Sequence, residues 1–271
     1  MNNWILRSIS GIVLIGVVIG AILLSEYTLL LLSLFMFSFS LIEFRTIFKV
    51  RDQVISTLLL VLGQVSIIYF YLHNVDILGL HWLLFISIAA ITILILTYLL
   101  FPGISFKEFG LMLFATFWFV GTISFMLSIG WVASDVYTPR YLVILFVLIW
   151  VNDIAAFTFG SLFGKKLLAP RVSPGKTWEG FISGILMNGI AGYLIAIFSH
   201  TFNPLFWIIT GMVIGVSATA GDLFESKLKR DAGVKDSGNL IPGHGGMLDR
   251  FDSLMFSAPL YYGILLSWNY L

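Results

Sequence analysis

The chain has 271 residues, 59% of them hydrophobic and 11% charged, with a mean hydropathy of +1.01. That balance excludes an ordinary soluble domain and leaves an all-α polytopic membrane protein. The net charge of +1 hides where the charges sit, no nucleic-acid partner is expected, and the lack of cysteine excludes disulfides and thiolate metal sites.

About nine apolar spans follow one another, each near the roughly 20 residues that cross a bilayer. They are 4–24, 27–48, 54–72, 78–99, 109–129, 140–159, 178–198, 204–224 and 251–271. Arg7 ahead of the first apolar run resembles a signal peptide. Leu23-Leu24-Ser25-Glu26 offers no small-x-small cleavage site, however, so a first helix that stays is expected. Only Ser25 and Glu26 separate the first two spans, which could form a bent hairpin. Turn residues at His73-Asn74, Pro102-Gly103, Pro139, Pro170, Asn203-Pro204 and Pro242-Gly243 mark the other breaks. Gly16/Gly20, Gly180/Gly184 and Gly211/Gly215 have the spacing that lets helices approach in lipid. The expected division is an N-terminal region 1–135 of about five spans and a C-terminal region 136–271 of about four, with two charged loops.

With nine spans, one side of the membrane receives Arg7, Arg45, Lys49, Arg51, Lys107, Lys165, Lys166, Arg171, Lys176, Lys227, Lys229, Arg230, Lys235 and Arg250. The other keeps only Arg140. This asymmetry predicts that the charged loops face the cytoplasm and that the C-terminus lies outside.

Three stretches carry chemistry. Asp153, after Asn152 near the end of the sixth span, must face a polar interior. A metal, a lysine or a ligand hydroxyl would each satisfy it. The next loop reads Ser173-Pro174-Gly175-Lys176-Thr177-Trp178-Glu179-Gly180. Gly-Lys-Thr suggests a phosphate-binding P-loop, but that motif needs a glycine at 170, where proline stands, and a preceding strand. What remains is a proline-started helix N-terminus, with free N–H groups, Ser173, Thr177 and Lys176 forming an anion site. A plain basic loop is the simpler alternative.

The densest charge lies in 219–252. If the eighth helix continues to Arg230, Asp222, Glu225, Ser226 and Lys229 share one face. Glu225 with Lys229 could be a simple salt-bridged helix end. Asp249 and Asp252 are three apart on a nascent helix, and a hairpin of the last two spans would bring Asp222 and Asp249 close together. Two such hard oxygen ligands suit Mg²⁺ held jointly with substrate phosphates. In His244-Gly245-Gly246 the glycines let backbone N–H groups approach an anion, as in a nest.

From Ser226 to Asp252 the residues Ser226-Lys227-Leu228-Lys229-Arg230, Lys235-Asp236 and Pro242-Gly243-His244-Gly245-Gly246-Met247-Leu248-Asp249-Arg250-Phe251-Asp252 resemble the signature of phosphatidate cytidylyltransferases. Ser173–Gly180 resembles that family's upstream motif, and the likeness covers roughly 150–252. The resemblance implies transfer of cytidylyl from CTP to phosphatidic acid, giving CDP-diacylglycerol and pyrophosphate. It implies Mg²⁺, described in the family with a potassium ion beside it, and a homodimer in a bacterial inner membrane. On this chain Asp222 and Asp249 become metal ligands, with Asp153 and Asp252 supporting. Lys176, Lys227, Lys229, Arg230, Lys235 and Arg250 become phosphate clamps. Ser173, Thr177, His244, Gly245 and Gly246 contact phosphate. Two rivals share much of this inventory: a CTP-dependent lipid kinase, which would release CDP, and a secondary transporter, which needs a midplane site instead.

Overall fold

The computed structural model describes residues 3–101, 103–199, 201–243 and 245–269. Pro102 and the last two residues of the ninth expected span lie outside them. The chain forms two compact units, Met1–Thr138 with Ser237–Leu248, and Pro139–Asp236 with Asp249–Leu271.

The first unit contains α1 (Asn3–Leu24), α2 (Glu26–Ile47), α3 (Gln53–Asn74), α4 (His81–Leu100) and α5 (Phe106–Ile129). Ser25 alone separates α1 from α2 and begins the second helix by a capping box. Its hydroxyl accepts the Thr28 N–H at 3.2 Å, while Thr28 Oγ1 accepts the Ser25 N–H at 3.1 Å. Thr28 also donates to Ala21 O at 2.7 Å, so the break leaves few backbone groups unsatisfied in an apolar setting. Asp52 caps α3 by accepting the Ile55 N–H. The core of the unit is α2 against α3 and α5, where Phe37, Leu41, Phe44, Ile55, Leu59, Met112 and Phe119 are buried. Gly63 leaves the hole that the Phe37 ring fills, since a Cβ there would overlap the ring. Gln64 to Ser38 and Asn74 to Ser128 add hydrogen bonds between helices.

The second unit contains α6 (Arg140–Phe163), a hairpin of β1 (Leu167–Ala169) and β2 (Ser173–Thr177), α7 (Trp178–Ser199) and α8 (Pro204–Asp231). After the one-turn α9 (Leu248–Phe251), α10 (Leu254–Asn269) completes it. Asn203 caps α8, and Pro204 sits at its first turn, where a missing N–H costs nothing. α7 packs between α6 and α8, and α10 lies against α8. Glycine sets these distances. A Cβ at Gly184 would meet Asn152 of α6 and one at Gly211 would overlap the Asn188 carbonyl of α7. The expected packing role of Gly180/Gly184 and Gly211/Gly215 is therefore observed. For Gly16/Gly20 it is not, because nothing lies within 4 Å of a Cβ built there. Gly211→Ala should cost on the order of 1–3 kcal/mol, because its obstacle is backbone. Gly20→Ala should stay within about 0.5 kcal/mol of the parent. Thermal unfolding in detergent distinguishes the two, and equal shifts would refute the packing assignment.

Among the described residues six helices, α2, α3, α5, α6, α7 and α8, are long and apolar enough to cross a membrane, and α1 and α4 contribute shorter apolar stretches. Their outer faces carry Phe117, Phe157 and Phe198 at 78–81% exposure, a surface suited to lipid rather than water. The chain is an all-α polytopic membrane protein.

Two expectations change. The ninth span does not start as one helix at Phe251, because the chain breaks at Asp252-Ser253 and restarts at Leu254. Asp252 Oδ1 accepts the Ser253 N–H at 2.7 Å, a local bond that competes with helix continuation. The helix expected to start at Pro174 is instead strand β2, antiparallel to β1 with Leu167 opposite Thr177 and Ala169 opposite Ser173. Proline and glycine at 174–175 disfavour a helix interior. The helix starts at Trp178, and Thr177 Oγ1 accepts the Gly180 N–H at 3.2 Å, acting as its cap.

Candidate active site

In the second unit the site is built at one end of α6, α8 and the β-hairpin. Glu179, in the first turn of α7, accepts the Lys165 and Lys166 N–H groups at 3.0–3.3 Å and fastens the start of the hairpin. Arg230 reaches the hairpin turn from α8, donating from Nε to Val172 O at 3.2 Å and from Nη1 to Val234 O at 3.0 Å. β2 thereby brings Lys176 to Asp222, with Nζ 2.5 Å from Oδ2. The other oxygen of Asp222 accepts from Ser226 one turn along, at 3.2 Å.

α8 does continue beyond the expected span, to Asp231. Its charged face follows the i, i+4 rule, with Lys229 ion-paired to Glu225 at 2.6 Å and Lys227 paired to Asp231. The Lys227 pair is more than half exposed and contributes little to stability. Lys229 is different. It is 9% exposed, and its ammonium lies between Glu225 and Asp249, 2.5 Å from the Asp249 Oδ1. Glu225 is fully buried, and the Lys229 ammonium 2.6 Å from its Oε2 is its close polar partner among the described residues. Lys229 thus holds two carboxylates, one of them the proposed ligand Asp249.

Asp249 meets the Lys229 ammonium where that also reaches back to Glu225, three residues or about one helical turn from Asp222. Asp252 is the acid at the Asp222 level. Its backbone carbonyl lies where a Cβ on Gly221 would go, and it feels the charges of both Asp222 and Asp153. Loss of water, then the charge of Asp222, pushes the Asp252 carboxyl up to about 7, with Arg250 partly offsetting. Asp153 also faces Lys176 and Arg250 electrostatically and accepts a long hydrogen bond from Asn152 at 3.4 Å. Arg250 and Lys235 are exposed, and Ser173 is partly so. Among the described residues no three His, Asp or Glu side chains form a ready-made metal-binding group. Asp153, Asp222 and Asp252 nonetheless supply hard oxygen donors whose like charges act on one another, the kind of donor a divalent cation takes.

In the first unit the glycine-rich segment Ser237–Leu248 folds back on itself through a bridge between Ile241 and Gly245. His244 lies outside the described residues. Donors beside the glycines of the expected nest hold an anion that is the chain's own. Met247 N–H donates to Glu43 Oε1 at 2.8 Å, and Leu248 N–H and the Ser237 hydroxyl donate to Oε2 at 2.9 and 2.8 Å. Gly246 gives this carboxylate its space, since a Cβ there would overlap Glu43 Oε2 and Ser237 Oγ. Sequence reasoning missed Glu43 and Ser237. The signal was present, because a lone carboxylate in an apolar span demands a polar partner.

A family model described as "Cytidylyltransferase family" matches residues 5–268. The chain belongs to the cytidylyltransferase family. Its relatives include a phosphatidate cytidylyltransferase of Staphylococcus saprophyticus, 45% identical over 123 residues, which is 45% of this chain and 47% of that protein. The phosphatidate cytidylyltransferase of Staphylococcus aureus (strain COL) matches to the same extent. The uncharacterized protein YnbB of Escherichia coli K12 is 47% identical over 111 residues, 41% of this chain and 37% of that protein. The matched stretch spans about half the length of the staphylococcal relatives, and less of YnbB.

Proposed function

We propose that the chain is a phosphatidate cytidylyltransferase, acting as a homodimer in a bacterial inner membrane with its charged loops in the cytoplasm. The observation that carries the reading is the grouping of Asp153, Asp222 and Asp252 with Lys176 and Arg250 in one unit. Acids for a cation and bases for phosphates, collected at one helix end, suit nucleotidyl transfer better than a transporter's midplane site.

The lipid phosphate monoester carries about −1.5 to −2 charge near neutral pH and is already a nucleophile. Its oxygen attacks the α-phosphorus of CTP in line, a new P–O bond forms, and the bond to the β-phosphate oxygen breaks. Pyrophosphate leaves with that electron pair, and no general base is needed. The residues position the two phosphates and offset their charge. Arg250 and Lys235, exposed cations, are the proposed phosphate contacts, together with Ser173 and the free edge of the Arg230 guanidinium. Lys227 adds positive charge at the surface. Lys176 and Lys229 act differently, holding Asp222 and Asp249 until the cation and nucleotide arrive. Asp222 and Asp249 are the proposed Mg²⁺ ligands, with Asp153 and Asp252 supporting, and potassium is the proposed second ion. The bound cation supplies neutralisation of charge on the phosphates.

Purified protein with Mg²⁺, phosphatidic acid and ring-labelled CTP tests this. Label should move into the organic phase only with phosphatidic acid present, and chelation should abolish it. Label released as water-soluble CDP would indicate a lipid kinase instead, and CTP left intact would favour the transporter.

A further inference from the structure

Glu43 lies one helical turn before the end of α2, 7% exposed among Phe44, Ile47 and other buried apolar groups. No described Lys, Arg or His lies within ion-pair distance of it. Its partners are instead three donors from Ser237–Leu248, two of them backbone N–H groups that cannot reverse their role. Each carboxylate oxygen is engaged, which no neutral side chain of this length reproduces. Glutamine offers one acceptor oxygen and sets an NH₂ against the remaining donors. Glycines at 238 and 246 flank the carboxylate, and a Cβ at Gly238 would lie 2.8 Å from Oε1. Two glycines, a serine and two amides thus close around one acid.

We propose that Glu43 is a positioning residue: through Ser237, Met247 and Leu248 it fixes the chain that runs directly into Asp249 and Arg250, the proposed metal and phosphate contacts, without touching substrate. This rests on the cytidylyltransferase reading. It also changes the meaning of Gly246 within the His-Gly-Gly motif, whose second glycine admits an internal carboxylate rather than a phosphate. A segment released from Glu43 visits its competent shape part of the time, and apparent affinity falls by that fraction.

The test compares parent, Glu43→Gln and Ser237→Ala in the cytidylyl-transfer assay and by amide hydrogen exchange. Glu43→Gln should raise KM for CTP about tenfold, if the competent fraction falls to about a tenth, with kcat nearly unchanged. The Met247 and Leu248 amides should lose protection in the same variant. Ser237→Ala, which keeps both backbone donors, should raise KM only about two- to threefold. This variant carries the test if Glu43→Gln does not fold. An unchanged KM in a folded variant, or a fall in kcat that merely follows lost folded protein, would overturn the positioning role. If the parent transfers no cytidylyl group, the functional reading fails by itself. Exchange at Met247 and Leu248 then still decides the anchor, and protection retained in Glu43→Gln would overturn it.

Discussion

Asp249→Asn should lower cytidylyl transfer by about 10³-fold while leaving the protein folded. The substitution keeps the shape and an acceptor for the Lys229 ammonium, which retains Glu225 as its counter-ion. What it removes is a charged oxygen ligand on the short α9 turn. Turnover by label transfer and unfolding temperature in detergent are measured on the same preparation. Activity within tenfold of the parent would remove Asp249 from the metal set. The acid at the Asp222 level, Asp252, would then take its place.

Lys229→Met should be the most destabilising single change in the second unit. It takes from the fully buried Glu225 its ammonium partner and from Asp249 the same ion pair, a loss of about 3–5 kcal/mol for breaking a buried pair from one side. The double change Lys229→Met with Glu225→Gln should recover much of that loss, because the fully buried acid no longer carries charge. A phosphate-clamp role alone predicts otherwise: reduced activity, an unchanged unfolding temperature and no recovery. Comparing the two unfolding temperatures separates these roles.

The helices were legible because hydropathy and length declare a membrane span without reference to any neighbour. Thus α8 begins at Pro204, where the sequence predicts it, and α7 covers the apolar span that starts at Trp178. The face shared by Asp222, Ser226, Glu225 and Lys229 was legible too, since helical periodicity alone creates it. Departures arose where a local choice depends on a distant partner. Ser173–Thr177 becomes a strand only because Leu167–Ala169 lies beside it and Glu179 clasps the start of the hairpin. Asp249 pairs with Lys229 because α8 runs on to Asp231 and offers an ammonium there. The partners of Glu43 were invisible for the same reason. Its donors follow some two hundred residues later, and nothing around it in sequence marks them.

That separation, 205 residues between Glu43 and Leu248, has a consequence for biosynthesis. The ribosome delivers α2 early, while the donors that satisfy its carboxylate emerge almost at the end of the chain. Throughout that interval the first helical unit carries an unsatisfied acid in an apolar segment, a costly state in lipid. Its maturation therefore waits on the passage of the second unit's first five elements, α6 to α8. A nascent chain stopped before residue 237 leaves this acid with none of its three donors.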